Sequence, residues 1–285
     1  MSHAATPHRS RVPWALAVTV GLCSGLAGYV IHAARVNRTP KQVVTVQRLT
    51  DRAGPEETPA ISPDGKSVAF VAAVGDKRQI WIGQPITKDD TDHFGPRWTP
   101  DSKGLIYFAA GAIREIPATG GEARKLADAL APGDLNHDGK LAFFRRDGDA
   151  VELVAGETAI AKLGGSGTYS NLRWSSDDKR IAYLHDGRIM VVSVSGGDPV
   201  EAAQGFPVQG FTWTPDNSGL IVSTHGELWF IPRSDRALPA QLTFGELSYE
   251  SPDLSSTGGN LVVSRRGLSG SADEADILMF SGLKW

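Results

Sequence analysis

The amino-acid sequence predicts an all-β fold: a six-bladed β-propeller closed by an N-terminal strand and preceded by one transmembrane helix. Three observations predict it. A short phrase of turn residues followed by an apolar run recurs with a period near 40 residues. Each period holds the pattern of four short strands. A stretch of 23 residues near the N-terminus carries no formal charge.

The recurring phrase aligns in columns. Ile61-Ser62-Pro63-Asp64-Gly65-Lys66 precedes Val68–Val71, and Trp98-Thr99-Pro100-Asp101-Ser102-Lys103 precedes Leu105–Phe108. Leu135-Asn136-His137-Asp138-Gly139-Lys140 precedes Leu141–Phe144, and Trp174-Ser175-Ser176-Asp177-Asp178-Lys179 precedes Ile181–Leu184. Trp213-Thr214-Pro215-Asp216-Asn217 precedes Leu220–Val222, and a degenerate copy, Leu254-Ser255-Ser256-Thr257-Gly258, precedes Leu261–Val263. The turn acid stands at 64, 101, 138, 177 and 216, with Thr257 in its place at the end. Periods of this length mark repeat architectures.

Each unit has a physical reading. Pro presets φ, Asp bonds the backbone ahead of it, and Gly or Asn tolerates positive φ, so the phrase is a turn. The apolar run is short and rich in β-branched and aromatic residues, which suits a buried strand. A third strand follows at 79–82, 112–116, 151–154, 188–192, 227–231 and 277–280. A fourth is clearest at 124–126 and 240–243. Four strands per period is the pattern of a propeller blade. The residues at the Trp column, Trp98, Trp174 and Trp213, are expected to fill the gaps between blades. The last unit supplies only three strands. Residues 43–50 end in Gln47-Arg48-Leu49-Thr50, similar to Gln241-Leu242-Thr243, and are expected to supply its outer strand, which joins the two ends of the ring.

Residues 12–34, VPWALAVTVGLCSGLAGYVIHAA, are long enough to span a bilayer as a helix of about 34 Å. Arg9 and Arg11 precede them, Arg35 and Arg38 follow, and Trp14 and Tyr29 stand near the ends, where amphipathic rings favour the interface. A cleaved signal peptide is the competing reading, but Ile31-His32-Ala33-Ala34 is a poor cleavage site. The expected order is a short cytoplasmic segment at 1–11, the helix at 12–34, a linker at 35–42 and the propeller at 43–285. That order makes the chain a single-pass protein of a bacterial inner membrane, with the propeller in the periplasm or outside the cell.

The columns resemble the TolB-like, WD-repeat-like propeller repeats, whose core reads Ser-Pro-Asp-Gly-Lys, then an apolar strand, then an Ile-Trp strand. Ser62–Lys66 with Ile80-Trp81 is the closest copy. The resemblance covers 43–285. It implies the propeller fold, and relatives that include periplasmic TolB, the propeller domains of prolyl oligopeptidases, and extracytoplasmic propellers behind one membrane helix. Some of the last kind carry a cytoplasmic domain ahead of the helix, for which residues 1–11 are too short.

Charge excludes one class of partner. Residues 1–50 hold six basic and no acidic side chains, so the rest of the chain is acidic by nine formal charges. Such a body is unsuited to nucleic acid, whose affinity comes from clustered Lys and Arg. Gly164-Gly165-Ser166-Gly167 lacks the spacing of a hydrolase nucleophile turn, and no phosphate-binding Gly-rich motif is present. The single cysteine, Cys23, permits no intrachain disulfide. Asp134, Asn136 and Asp138 match half of a Ca²⁺ loop, but Arg145 stands where the closing Glu belongs, and the segment aligns with the ordinary blade turn. His93, His137, His185 and His225 fall in different columns, so they are not expected to meet at one metal.

Candidate ligand-binding residues come from the inner strands. Four or five residues before the Trp column stand Glu57, His93, Tyr169, Gln209, Tyr249 and Glu250; one residue before it stand Arg97, Asp134 and Arg173. These positions are expected at the rim of the central channel. The expected function is a non-enzymatic protein- or peptide-binding or scaffold module, with no cofactor. The alternatives are a metal-dependent lyase or hydrolase of the channel, as in some propeller relatives, and the sensor domain of a transmembrane regulator lacking its cytoplasmic domain.

Overall fold

The computed structural model describes residues 44–285, apart from 53, 206, 235–236, 246, 268–274 and 285. The apolar run 12–34 lies outside the described residues. Among those that are described, no helix is long and apolar enough to cross a membrane.

Residues Val44–Trp285 form one compact unit of six four-stranded antiparallel sheets. Five blades are continuous in sequence. In the first, the strands are Glu56–Ile61, Val68–Val74, Lys77–Ile82 and Gln84–Pro85, in that order from the inside outward. In the sixth, the strands Leu247–Leu254, Asn260–Gly267 and Ala275–Ser281 are completed by Thr45–Arg48. This closing strand pairs Thr45 with Ser281 and Arg48 with Leu278. The first and last strands of the propeller therefore share one sheet, as residues 43–50 predict.

The turn phrase works the same way in every blade. Ser62, Thr99, Asn136, Ser175, Thr214 and Ser255 each turn a side-chain oxygen back to accept a backbone N–H four or five residues on. The Asp two residues later accepts from the backbone N–H two positions further on, still within the turn, as in Asp64 with Lys66 N and Asp101 with Lys103 N. Asn136 takes this role in the third blade, its Oδ1 accepting from Asp138 N and Lys140 N. The segment Asp134–Asp138 is thus a blade turn in which Asn136 Oδ1 and Asp134 Oδ2 accept from the backbone.

Three of the fourth strands end alike. Leu49 N, Ile86 N and Leu242 N each donate to a third-strand carbonyl at 2.8 Å. The following Thr50, Thr87 and Thr243 each accept a third-strand N–H at 2.9 Å, from Ile277, Ile80 and Leu228. A threonine hydroxyl thus replaces one rung of the ladder. This is why the predicted strand 240–243 stops at Gln241 as regular structure but stays bonded beyond it.

The core is divided among the gaps between blades. Trp98 packs with Val71 and Ile80 of the first blade and donates from Nε1 to Ala60 O at 2.9 Å. Trp174 packs with Phe144 and Leu153 of the third blade, and Trp213 with Leu184 and Ile189 of the fourth. An aromatic of this kind buries roughly 150–250 Å², worth several kcal/mol at about 25 cal/mol per Å². The tryptophans fill the gaps between blades and hold them together.

Candidate channel site

Inner strands begin at the channel mouth and end at the turn side. Four of them carry a break in register at the same place: between Glu57 and Ala60, Phe94 and Arg97, Ser170 and Arg173, and Glu250 and Asp253. At each break one residue has positive φ: Thr58 (46°), Gly95 (54°), Asn171 (45°) and Ser251 (50°). These are bulges, which bend a strand and re-aim its side chains. Glycine and asparagine tolerate this conformation but threonine and serine rarely adopt it, and strain of this sort gathers at functional sites.

Just past the bulges lies a ring of six equivalent residues: Ala60, Arg97, Asp134, Arg173, Thr212 and Asp253. Arg173 Nη1 reaches across the channel to Asp253 Oδ1 at 2.8 Å, both side chains being about nine-tenths buried. Asp253 Oδ2 accepts from Ile61 N, so the sixth blade is tied to the first on the inside as well as at the outer edge. Asp134 Oδ2 makes the same bond to Trp174 N, tying the third blade to the fourth. Arg97 lies among these groups with no carboxylate bound to it among the described residues. Its Nη1 donates to Pro96 O at 2.7 Å and its Nη2 to Asn171 Oδ1 at 3.4 Å, while Nε is buried without a protein acceptor. Burial and the neighbouring Arg173 push its pKa down to about 10, against the pull of Asp253 and Asp134. Burial pushes the Asp134 carboxyl up, against Arg173 and Arg97. Arg97 therefore remains a cation at neutral pH.

Above the ring opens a cavity of about 430 Å³, within the range of roughly 300–1,000 Å³ typical of ligand pockets. Arg97 and Arg173 are the charged residues that line it. The bulge residues Thr58, Gly95, Asn171 and Ser251 form its neck, and Phe94, Phe108, Leu130 and Pro132 make one wall apolar. On the turn side a smaller cavity of about 130 Å³ is lined by Asp134, Asp253 and again Arg173. The ring thus shows its cations to the mouth and its acids to the opposite end.

Of the nine residues picked from sequence, Arg97, Tyr169, Arg173 and Gln209 line the mouth cavity. Asp134 belongs to the ring but lines the turn-side cavity. Glu57 and Glu250 do not line the mouth cavity; they pair with surface arginines, Glu57 with Arg78 and Arg266, Glu250 with Arg266. His93 is buried against Tyr107, with Nδ1 3.0 Å from Arg78 O. Tyr249 packs edge-on against Phe280. The sequence reading missed the bulge residues and the apolar wall. A signal for the bulges was available: Thr58-Pro59, Gly95-Pro96, Pro132-Gly133 and Ser251-Pro252 repeat in one column, and such residues inside a strand mark a bulge.

The remaining histidines are separate. His137 Nδ1 lies 3.0 Å from Asp178 Oδ1, His185 stacks on Tyr169, and His225 Nδ1 lies 3.2 Å from Thr224 Oγ1. Among the described residues, no group of three or more His, Cys, Asp or Glu side chains is placed to hold a metal ion.

No protein-family model and no curated protein matches the sequence. Solved structures do match. A gluconolactonase from Xanthomonas campestris superposes with a TM-score of 0.62 at 14% identity, over 84% of this chain and 89% of that one. A putative TolB from Agrobacterium tumefaciens gives 0.55 at 14% identity, over 72% of this chain and 87% of that one. An oligogalacturonate lyase from Vibrio parahaemolyticus gives 0.54 at 12% identity, over 85% and 94%. The likeness is one of fold: the chain is a six-bladed propeller of the kind found in TolB and in propeller enzymes.

Proposed function

We propose that this protein is a membrane-anchored, extracytoplasmic binding module that holds a protein or peptide ligand at the mouth of its propeller channel and has no enzymatic activity. The mouth cavity carries this reading. It is preformed by strained bulges and prolines, and it offers two buried arginines beside an apolar wall. The anchor rests on residues 12–34, which are uncharged and flanked by arginines. Two of the structural neighbours described above are named as enzymes, so an activity in the channel is the rival reading. The binding reading rests on the shape and lining of the mouth cavity, and the metal content of the purified chain discriminates it from the rival.

Photocrosslinking in native cells tests the proposal. A crosslinker placed at Leu130, on the cavity wall, is expected to capture a discrete partner. One at Val200, exposed on the outer strand of the fourth blade, is expected to capture none. Equal capture from both positions, or capture from Val200 alone, contradicts the proposal. So does stoichiometric Mn or Zn in the purified chain.

A further inference from the structure

Resting on that reading, we infer that the mouth cavity recognises a monocarboxylate attached to an apolar group, such as a peptide C-terminus ending in an aromatic or aliphatic residue. Three observations lead there. First, a guanidinium has five N–H donors, and protein groups accept from two of those of Arg97. Arg173 is matched by Asp253; Arg97 has no such partner among the described residues. Asp134 and Asp253 act on Arg97 only through space, buried donors left without acceptors are costly, and a carboxylate presents two oxygens that suit the guanidinium fork. Second, the surplus at the mouth is a single charge. Asp134 and Asp253 lie directly behind it in the ring, so a dianion such as a phosphate monoester meets one unmatched cation and two acids. Third, Phe94, Phe108, Leu130 and Pro132 give the ligand an apolar surface beside the charge. The acidic body of the protein repels anions elsewhere, which confines their binding to this pit.

The test uses the full chain and isothermal titration. N-acetyl-Ala-Ala-Phe with a free C-terminus is compared with its C-terminal amide, and 3-phenylpropionate serves as a small free acid. The tripeptide acid is expected to bind at least about tenfold more tightly than the amide, since hydrogen bonds to charged groups account for at least that difference. Arg97→Gln is expected to abolish the preference. Gln keeps an amide N–H donor in place of the guanidinium, and a melting curve checks that the variant is folded. Leu130→Glu, at an exposed wall position, is expected to abolish binding of the acid with the fold intact. If 3-phenylpropionate binds as well as the tripeptide, the source is a small acid and the monocarboxylate stands. If the amide binds equally well, or if Arg97→Gln keeps the preference, the carboxylate inference is overturned while the cavity survives as a binding site. If no probe binds, the inference falls, and the binding role is judged separately by the partner captured from Leu130.

Discussion

Replacing Asp253 with alanine tests the inner tie of the ring. The side chain is 8% exposed. One oxygen holds Arg173 across the channel and the other accepts from Ile61 N of the first blade, each at 2.8 Å. The substitution leaves a buried guanidinium without its partner and an N–H without an acceptor. Removing one member of a buried pair costs about 3–5 kcal/mol. For a unit of this size each kcal/mol lowers the melting point by about 2–4 °C, so a cost near 4 kcal/mol predicts a drop of about 8–16 °C. Asp253→Asn keeps an acceptor for Ile61 N and loses only the charge, so it should fall between wild type and Asp253→Ala. Combining Asp253→Asn with Arg173→Gln should cost less than the two singles added, because each single orphans the other's group. The assay is thermal unfolding of the full chain followed by circular dichroism. An Asp253→Ala protein that melts within about 2 °C of wild type, or singles that simply add, would refute this account of the ring.

Two other perturbations have outcomes set by the structure. Gly95→Ala forces a side chain onto φ = 54° and places its Cβ 2.7 Å from Pro132 Cβ; it should cost more than Gly83→Ala, whose φ is 65° but whose Cβ meets nothing within 4 Å, and paired melting curves decide it. The turn carboxylates Asp64 and Asp101 are held below the usual range by the hydroxyls of Ser62 and Thr99 and by backbone N–H groups, and Asp216 by Ser218 N. A depressed folded pKa gives stability that is complete above the unfolded value of about 3.9 and is lost as the pH falls through the folded value. The melting point should therefore fall as the pH drops below about 4, and Ser62→Ala and Thr99→Ala should flatten that fall; a melting point level from pH 6 to 2.5 contradicts it.

The fold was legible because its rules are local. Every blade needs a tight turn between its first two strands, and the Ser/Thr-x-Asp chemistry that makes the turn is visible even where Thr257 replaces the acid and Ser255 alone accepts from Asn260 N. Closure was legible for the same reason: Leu49-Thr50 and Leu242-Thr243 do the same work at the end of a fourth strand. The site was less legible because bulges intervene between sequence and side-chain direction. Column spacing puts Glu57, Ser170 and Gln209 together, yet Ser170 and Gln209 line the cavity while Glu57 goes to Arg78. That choice depends on an arginine from the third strand of the same blade, which no spacing in the first strand reports. His93 shares a column with Tyr169, but its packing on Tyr107 fixes it inside the gap between blades.

The arrangement of the mouth depends on the ring being shut by residues 43–50, and deleting them from the full chain tests that dependence most directly. The account predicts a broader transition at a lower temperature, a tendency to aggregate through the bared edge of Ala275–Ser281, and loss of the preference for the free-acid tripeptide. A deleted chain that melts as sharply and as hot as the intact one, and still prefers the acid, would contradict it.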